Sequence, residues 1–373
     1  MNNYNNEYEN ILRERKSVIE NLFGDIFQIS KKYSSVVLYG GGENCCKVLN
    51  ICEQYNVKID AICDKYKSGN LYGVNVISPS ELCNDYKQSL VIITCIANTA
   101  QVRNELNTLG FNLNNTIACP YNINWLMLPD DFMNTYFDGY KYTFDVFGDE
   151  HSKNVILART RLYLLGEFPK QTSKLPIEMS MYYFDAEFFD FGEREIFVQA
   201  GCYDGETVKG FINFRNNVPA DLIYTFESEY TMYKKCCNDL SEYPNVIVCN
   251  KGLWSEQTEL DFFSDGGTGG SSFVRKQYGE VIKIPVTSLD IFFENKEPPT
   301  FIQFDIEGAE KEALLGARNI ISKYKPKLAV SIYHKPEDLY ELVKTILDIN
   351  KNYSMLLEHC YDNNPHETVL FCK

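Results

Sequence analysis

Ile196-Phe-Val-Gln-Ala-Gly-Cys-Tyr-Asp-Gly205 is the stretch around which the rest of the chain is read. Residues 196–199 predict a short buried strand, Gly201 and Gly205 bracket a turn that holds Asp204, and residues 206–214 have helical spacing. A strand, a glycine-bracketed turn and a helix together form a ligand cradle. Glycine lets backbone approach a ligand closely, and a helix start offers unpaired N–H groups. Many βαβ units carry such a turn, so the neighbouring strand ends must decide what it holds.

Downstream, the same layout recurs. Residues 222–226 predict a strand ending at Glu227, which is 22 residues after Gly205. Residues 245–249 end at Asn250, 301–304 at Asp305 with Glu307 beyond, and 327–332 run into Tyr333 and His334. Helices are expected over 307–324 and 337–347, and a closing antiparallel hairpin over 353–357 and 368–371. Residues 253–263 read as a hairpin or strand insertion. The glycine-rich run 264–272 that follows reads equally as a mobile lid or an ordinary hairpin tip. The fold class is therefore α/β, with a Rossmann-like sheet over 191–373, parallel with one antiparallel strand.

Upstream, residues 1–30 predict a helical segment and 31–122 a smaller Rossmann-like α/β domain. Its first strand runs into Gly40-Gly41-Gly42. This is a truncated dinucleotide fingerprint. Cys45 stands at the third glycine position, where it should impair close helix–strand contact, and Asp64 lies 22 residues after Gly42, near the place of a ribose-binding acid. The turn reads either as a nucleotide pocket or as a retained feature of a scaffold or dimer surface, and the second is favoured. A homodimer is accordingly among the expected assemblies. Residues 123–190 form a connector whose aromatics, among them Tyr136, Tyr140, Tyr182, Tyr183 and Phe184, suggest packing and leave room for an acceptor pocket.

Lys and Arg number 36 against 51 Asp and Glu, a net charge of −15. With no sustained basic cluster, this disfavours nucleic acid and anionic membranes and points to a small-molecule partner. No apolar run is long enough to span a membrane, and no secretory segment is evident at the start. The 13 Cys are odd in number, include adjacent pairs and lack Cys-x-x-Cys spacing. Reduced thiols in the cytoplasm are expected, and a disulfide framework or zinc site is not.

Ligands of open α/β sheets bind beyond the carboxyl ends of the strands. Those ends here carry Asp204, Glu227, Asp305 and Glu307. An acidic crevice repels the pyrophosphate of a dinucleotide and suits the sulfonium and ammonium groups of S-adenosyl-L-methionine. A carboxylate after the second strand can accept both hydroxyls of its ribose.

Residues 197–207 (Phe-Val-Gln-Ala-Gly-Cys-Tyr-Asp-Gly-Glu-Thr), Thr225-Phe-Glu-Ser228, Phe304-Asp-Ile-Glu-Gly-Ala-Glu310 and residues 327–338 resemble, in order and spacing, the FkbM family of S-adenosylmethionine-dependent methyltransferases. The resemblance covers about the C-terminal half, and the Rossmann-like start and aromatic connector resemble a longer variety of the family. It implies methyl transfer, usually to oxygen, on a sugar, glycan precursor or secondary metabolite. It also implies that Gly201, Asp204 and Gly205 hold the methionine end of the cofactor, Glu227 the ribose, and Asn250 to Leu253 the adenine, with Asp305 near the transferring methyl. Two residues depart from the pattern. Gln199 replaces an acid before Ala-Gly and can hydrogen-bond the cofactor's amino group without attracting its charge, and Ser228 replaces a proline.

Methyl transfer demands alignment and exclusion of water, and a hydroxyl acceptor adds a general base. His334 is the expected base because imidazole titrates near neutrality; Asp305 is the alternative. Glu307 and Glu310 are expected to stabilise a first helical turn, His359 and His366 to be structural, and His151 to face solvent. Asp305, Glu307 and His334 could converge on a divalent ion, but no ligand spacing demands one, so a metal is not expected. Two other classes compete with the methyltransferase: a nicotinamide-dependent oxidoreductase using Gly40 to Gly42, and a non-catalytic assembly protein that kept the fold with a degenerate cofactor site.

Overall fold

In the strand Val36–Tyr39, Val36 and Leu38 enter one hydrophobic cluster while Val37 and Tyr39 enter another. That alternation marks a strand buried on both faces, the situation of a parallel sheet between helices. The computed structural model describes residues 3–216, 218, 221–264 and 280–373. The chain divides into two units, Met1–Thr135 with Thr160–Phe168, and Tyr136–Arg159 with Pro169–Lys373. Residues 123–190, read from sequence as a connector, are thus shared between the two.

The first unit holds a six-stranded sheet of β1 (Val36–Tyr39), β2 (Ala61–Cys63), β3 (Gly69–Leu71), β4 (Val74–Ile77), β5 (Leu90–Ile93) and β6 (Thr116–Ala118), in the order β3-β4-β2-β1-β5-β6. All its pairs are parallel except the β3–β4 hairpin. Its helices are α1 (Tyr4–Ser30), α2 (Glu43–Gln54), α3 (Pro79–Asp85), α4 (Thr99–Thr108) and α5 (Pro129–Thr135). Ile19, Phe23 and Ile26 of α1 recur at helical spacing and join Val36, Leu38 and Ile92 in one core. Cys45 is fully buried in that core, so its small side chain is accommodated at the α2 contact where the sequence suggested impairment.

The second unit contains α6 (Phe137–Val146) and, with its last residues counted in the first unit, α7 (Glu150–Leu165). There follow β7 (Ile196–Ala200), α8 (Glu206–Phe214), β8 (Leu222–Phe226), α9 (Tyr230–Asp239), β9 (Val246–Cys249), β10 (Gly252–Leu253), β11 (Thr258–Ser264) and β12 (Glu280–Thr287). The remainder is α10 (Leu289–Phe292), β13 (Phe301–Phe304), α11 (Glu310–Gly316), α12 (Arg318–Tyr324), β14 (Lys327–Ser331), α13 (Asp338–Ile349), β15 (Met355–His359) and β16 (Thr368–Cys372). Seven strands pair as β15-β16-β14-β13-β7-β8-β9, and β16 alone runs antiparallel to its neighbours. The expected sheet, parallel with one reversed strand, is present. Its core is aromatic: Phe197 stacks on Phe301 with centroids 5.1 Å apart and meets Phe211 at 4.5 Å.

One expectation about elements needs correction, and one choice between two readings is decided. The helix read over 307–324 is two short helices. Glu307 and Gly308 take positive φ (54° and 95°), which delays its start to Glu310, and Ala317 interrupts it with ψ 11°. Residues 253–263, read as a hairpin or a strand insertion, are inserted strands and form no hairpin of their own. β11 pairs antiparallel with β12, and β10 joins β12 to complete a separate three-stranded sheet. The proposed lid, apart from residue 264, lies outside the described residues.

Candidate active site

The sheet order reverses between β7 and β13: the chain proceeds from β7 to β8 and β9 on one side, and from β13 to β14 on the other. A crevice opens at such a switch point. Gly201 and Asp305 sit there, each just past its strand. A Cβ added to Gly201, whose φ is 90°, would lie 2.1 Å from the carbonyl oxygen of Asp305. Only glycine allows these two strand ends to come so close.

The turn is held from the next strand. The Glu227 carboxylate accepts hydrogen bonds from the Tyr203 amide (3.0 Å) and the Glu229 amide (2.8 Å), and Tyr203 itself is in the left-handed region with φ 53°. Burial raises the Glu227 pKa and these amides lower it, leaving it above the usual carboxylate value. Asp204 accepts from the Glu206 amide at 3.2 Å and so supports the first turn of α8.

Gly201, Asp204, Glu227, Leu253 and Asp305 line one cavity of about 350 Å³. Five of the eight predicted cofactor residues are thus brought together. Three stand apart. Gln199 is buried within the sheet, where its Oε1 accepts from the Thr225 hydroxyl at 2.7 Å; its register partner Gln303 lines the cavity in its place. Gly205, with φ 78°, precedes α8 and packs on Leu240. Asn250 donates to the backbone carbonyls of Glu227 (2.9 Å) and Ser228 (3.3 Å), which makes it a support for the strand end.

His334 needs a larger correction. It does not line the cavity; its side chain is 2% exposed and lies among carboxylates. Nδ1 is 3.1 Å from Glu310, while Nε2 is 3.3 Å from Asp305 and 3.7 Å from Glu307. Burial lowers the imidazole pKa, but Glu310, Glu307 and Asp305 outweigh it and push it well above the usual value. Held among three carboxylates and outside the cavity lining, His334 is not positioned to meet an acceptor's proton. Glu310 also accepts from the Ile306 amide at 2.9 Å. Glu310 and His334 together therefore fix the loop that carries Asp305.

At the far end of the cavity the sequence reading missed a residue. Glu367, just before β16, lines the cavity with Asp305 and Tyr333. The Tyr333 hydroxyl lies 3.4 Å from Asp305 and 3.3 Å from Glu367. Tyr183 donates to Asp305 at 2.8 Å, and Tyr182 to Glu367 at 2.7 Å. Burial and the nearby Asp305 charge raise the Glu367 pKa against the hydrogen bond from Tyr182, bringing it to about 7. Asp305 is also raised, by burial first, despite the opposing charge of His334. Asp305, Glu310 and His334 offer ligand atoms within 4.8 Å of one another. A protonated imidazole with a carboxylate near each ring nitrogen accounts for the same arrangement.

The first unit's glycine turn is closed from within. Asp64 accepts from the amides of Gly41 (2.7 Å), Tyr66 (2.8 Å) and Lys67 (3.0 Å). Thr94 donates to the Gly40 carbonyl at 2.7 Å, and a Cβ on Gly41 would meet Leu71 at 2.8 Å. The amide that would cradle a pyrophosphate, and the acid that would hold a ribose, bind each other.

Fold and crevice together define a Rossmann-like protein with an acidic ligand cavity at the strand tips. Residues 204–355, within the second unit, match the family model of the Methyltransferase FkbM domain. The crystal structure of Methyltransferase FkbM from Methylobacillus flagellatus KT is similar over 97% of this chain and 99% of that one, at 20% identity and TM-score 0.58, which shows a shared fold. Weaker likenesses include fibrillarin from Aeropyrum pernix, with natively bound S-adenosyl-L-methionine (10% identity, 50% of this chain, 70% of that one, TM-score 0.33). An rRNA methylase from Streptococcus thermophilus is comparable (16% identity, 53% and 95%, TM-score 0.34). No curated protein matches. Among the described residues no helix is long and apolar enough to cross a membrane.

Proposed function

We propose that the second unit binds S-adenosyl-L-methionine and transfers its methyl group to a hydroxyl of a small acceptor, a sugar, glycan precursor or secondary metabolite. The observation that carries this is the cavity itself: a glycine turn and carboxylates from three strand ends, Asp204, Glu227 and Asp305, surround one space. The residues fit the group. Gly201 lets two strand ends close together at the base of the cavity, and the carboxylates around it suit ammonium, ribose hydroxyls and sulfonium. Gly201 and Asp204 would hold the methionine end, Glu227 the ribose and Leu253 the adenine, while Gly205, Asn250 and Gln199 support them from behind. The sulfonium supplies a methyl carbon already activated for displacement.

The chain's own residues then align and shield the acceptor. Tyr333 and Asp305 present hydrogen-bonding groups to it, and the loop fixed by Glu310 and His334 limits their motion. Thirteen free cysteines support a reducing compartment, the cytoplasm, as the setting of this activity. Calorimetry with the full chain tests the donor site. S-adenosyl-L-methionine and its product should both bind, Glu227→Ala should weaken both strongly, and absence of binding by the intact protein refutes the proposal.

A further inference from the structure

Resting on the methyl-donor proposal, we infer that Asp305 and Glu367, bridged by the Tyr333 hydroxyl, work as a proton-sharing carboxylate pair in which Glu367 is the base that takes the acceptor's proton. Glu367 replaces His334 in that role because it faces the cavity and His334 does not. Two carboxylates joined through one hydroxyl, at 3.4 and 3.3 Å, resist carrying two charges at once. One holds charge while the other is poised near neutrality, the condition of an effective general base.

The pair is built rather than incidental. Glu367 has φ 60°, a strained left-handed conformation for a residue with a side chain, and such strain persists where surrounding contacts over-determine it. The contacts are present. Tyr182 fixes the carboxylate, and the buried Arg159 donates to the backbone carbonyl of Pro365 and lies 3.5 Å from that of Tyr333. Other titratable groups facing Glu367 are Tyr183, and Cys360 and Tyr361 of the hairpin, all with raised pKa values and so neutral near pH 7. His334 adds one positive charge behind Asp305.

In the step, the acceptor oxygen forms a bond to the methyl carbon, the carbon–sulfur bond breaks with its electron pair on sulfur, and the acceptor proton passes to a carboxylate oxygen of Glu367. The positive charge lost at sulfur and the negative charge lost at Glu367 cancel, and no other reactant is needed.

The test requires no acceptor. Sinefungin carries an amine-bearing carbon in place of the methylsulfonium, and S-adenosylhomocysteine is neutral there. Calorimetry of the full chain from pH 5.5 to 8.5 should show the sinefungin-to-homocysteine affinity ratio rising about tenfold across neutrality, as the pair gains its second charge. In Glu367→Gln the ratio should be flat, with S-adenosylhomocysteine affinity retained. Tyr182→Phe, which removes a hydrogen bond to the ionised carboxylate, should shift the inflection to higher pH, and it decides the matter if Glu367→Gln fails to fold. A wild-type ratio that is flat, a Gln variant whose ratio still rises, or an unmoved inflection in Tyr182→Phe overturns the pair. Absence of S-adenosylhomocysteine binding by the wild type refutes instead the donor site on which the pair rests.

Discussion

The carbonyl oxygen of Asp305 occupies the space that a side chain at position 201 would need: a Cβ on Gly201 would come within 2.1 Å of it. Gly201→Ala must therefore push β7 and β13 apart at their tips, and it places alanine at φ 90°. A loss of about 1–3 kcal/mol in stability is expected from overpacking of this kind. Urea denaturation gives the stability, and calorimetry with S-adenosylhomocysteine should show that binding falls by more than this instability explains.

Glu227 serves both the turn and, on the proposed function, the ribose. Glu227→Gln keeps the shape and removes the charge. Charge-assisted hydrogen bonds contribute about 1.5–3 kcal/mol, so both S-adenosyl-L-methionine and its product should bind about 10–100-fold more weakly. Equal weakening of the two is the signature of a ribose contact. A loss confined to the cationic donor would assign Glu227 to the sulfonium instead.

The His334–Glu310 pair predicts a pH window. His334 has a folded pKa above its unfolded value of about 6.5, so its contribution is complete below that pH and is lost as pH rises through the folded value. Glu310 is shifted downward because His334 and the Ile306 amide outweigh its burial; its contribution is present above about pH 4.3 and is lost as pH falls through the folded value. Removing one partner of a buried pair costs about 3–5 kcal/mol. His334→Asn should lose about that much at pH 7 and little beyond what the wild type itself loses at strongly alkaline pH. Thermal unfolding across pH measures both slopes.

Asp64→Asn separates the two units' roles. Burial raises the Asp64 pKa, but amides of Tyr66, Gly41 and Lys67 bring it below the usual range, so the ionised form is built into the turn. The variant should lower stability by about 1–3 kcal/mol without changing S-adenosylhomocysteine affinity. Reduced nicotinamide should bind neither form in a fluorescence titration.

Much of the architecture was legible because periodicity survives in sequence. The alternation of β1, the apolar run of β13 and the helical stripe of α1 each depend only on neighbours along the chain. Strand-end residues such as Gly201, Glu227 and Asp305 were legible for the same reason. Glu367 was not, because it precedes a reversed strand and its partners Tyr182 and Tyr333 lie 185 and 34 residues away. His334 was read as facing the cleft because being at a strand tip does not reveal which way the ring points. Nothing local announced that Glu310, Glu307 and Asp305 would surround it. β12 escaped notice because its pairing partner β11 lies across a run of residues without a strand pattern.

β16 is threaded between β14 and β15 although it follows both of them in the chain. A strand running against its neighbours begins where they finish, which is how Glu367 reaches the same rim as Asp305 and Tyr333. Only when β16 is seated beside β14 is the residue before it, Glu367, carried to that rim. Without that pairing the turn at Gly201 and the carboxylate of Glu227 would remain, and the carboxylate that the Tyr333 hydroxyl joins to Asp305 would lack the strand that carries it there.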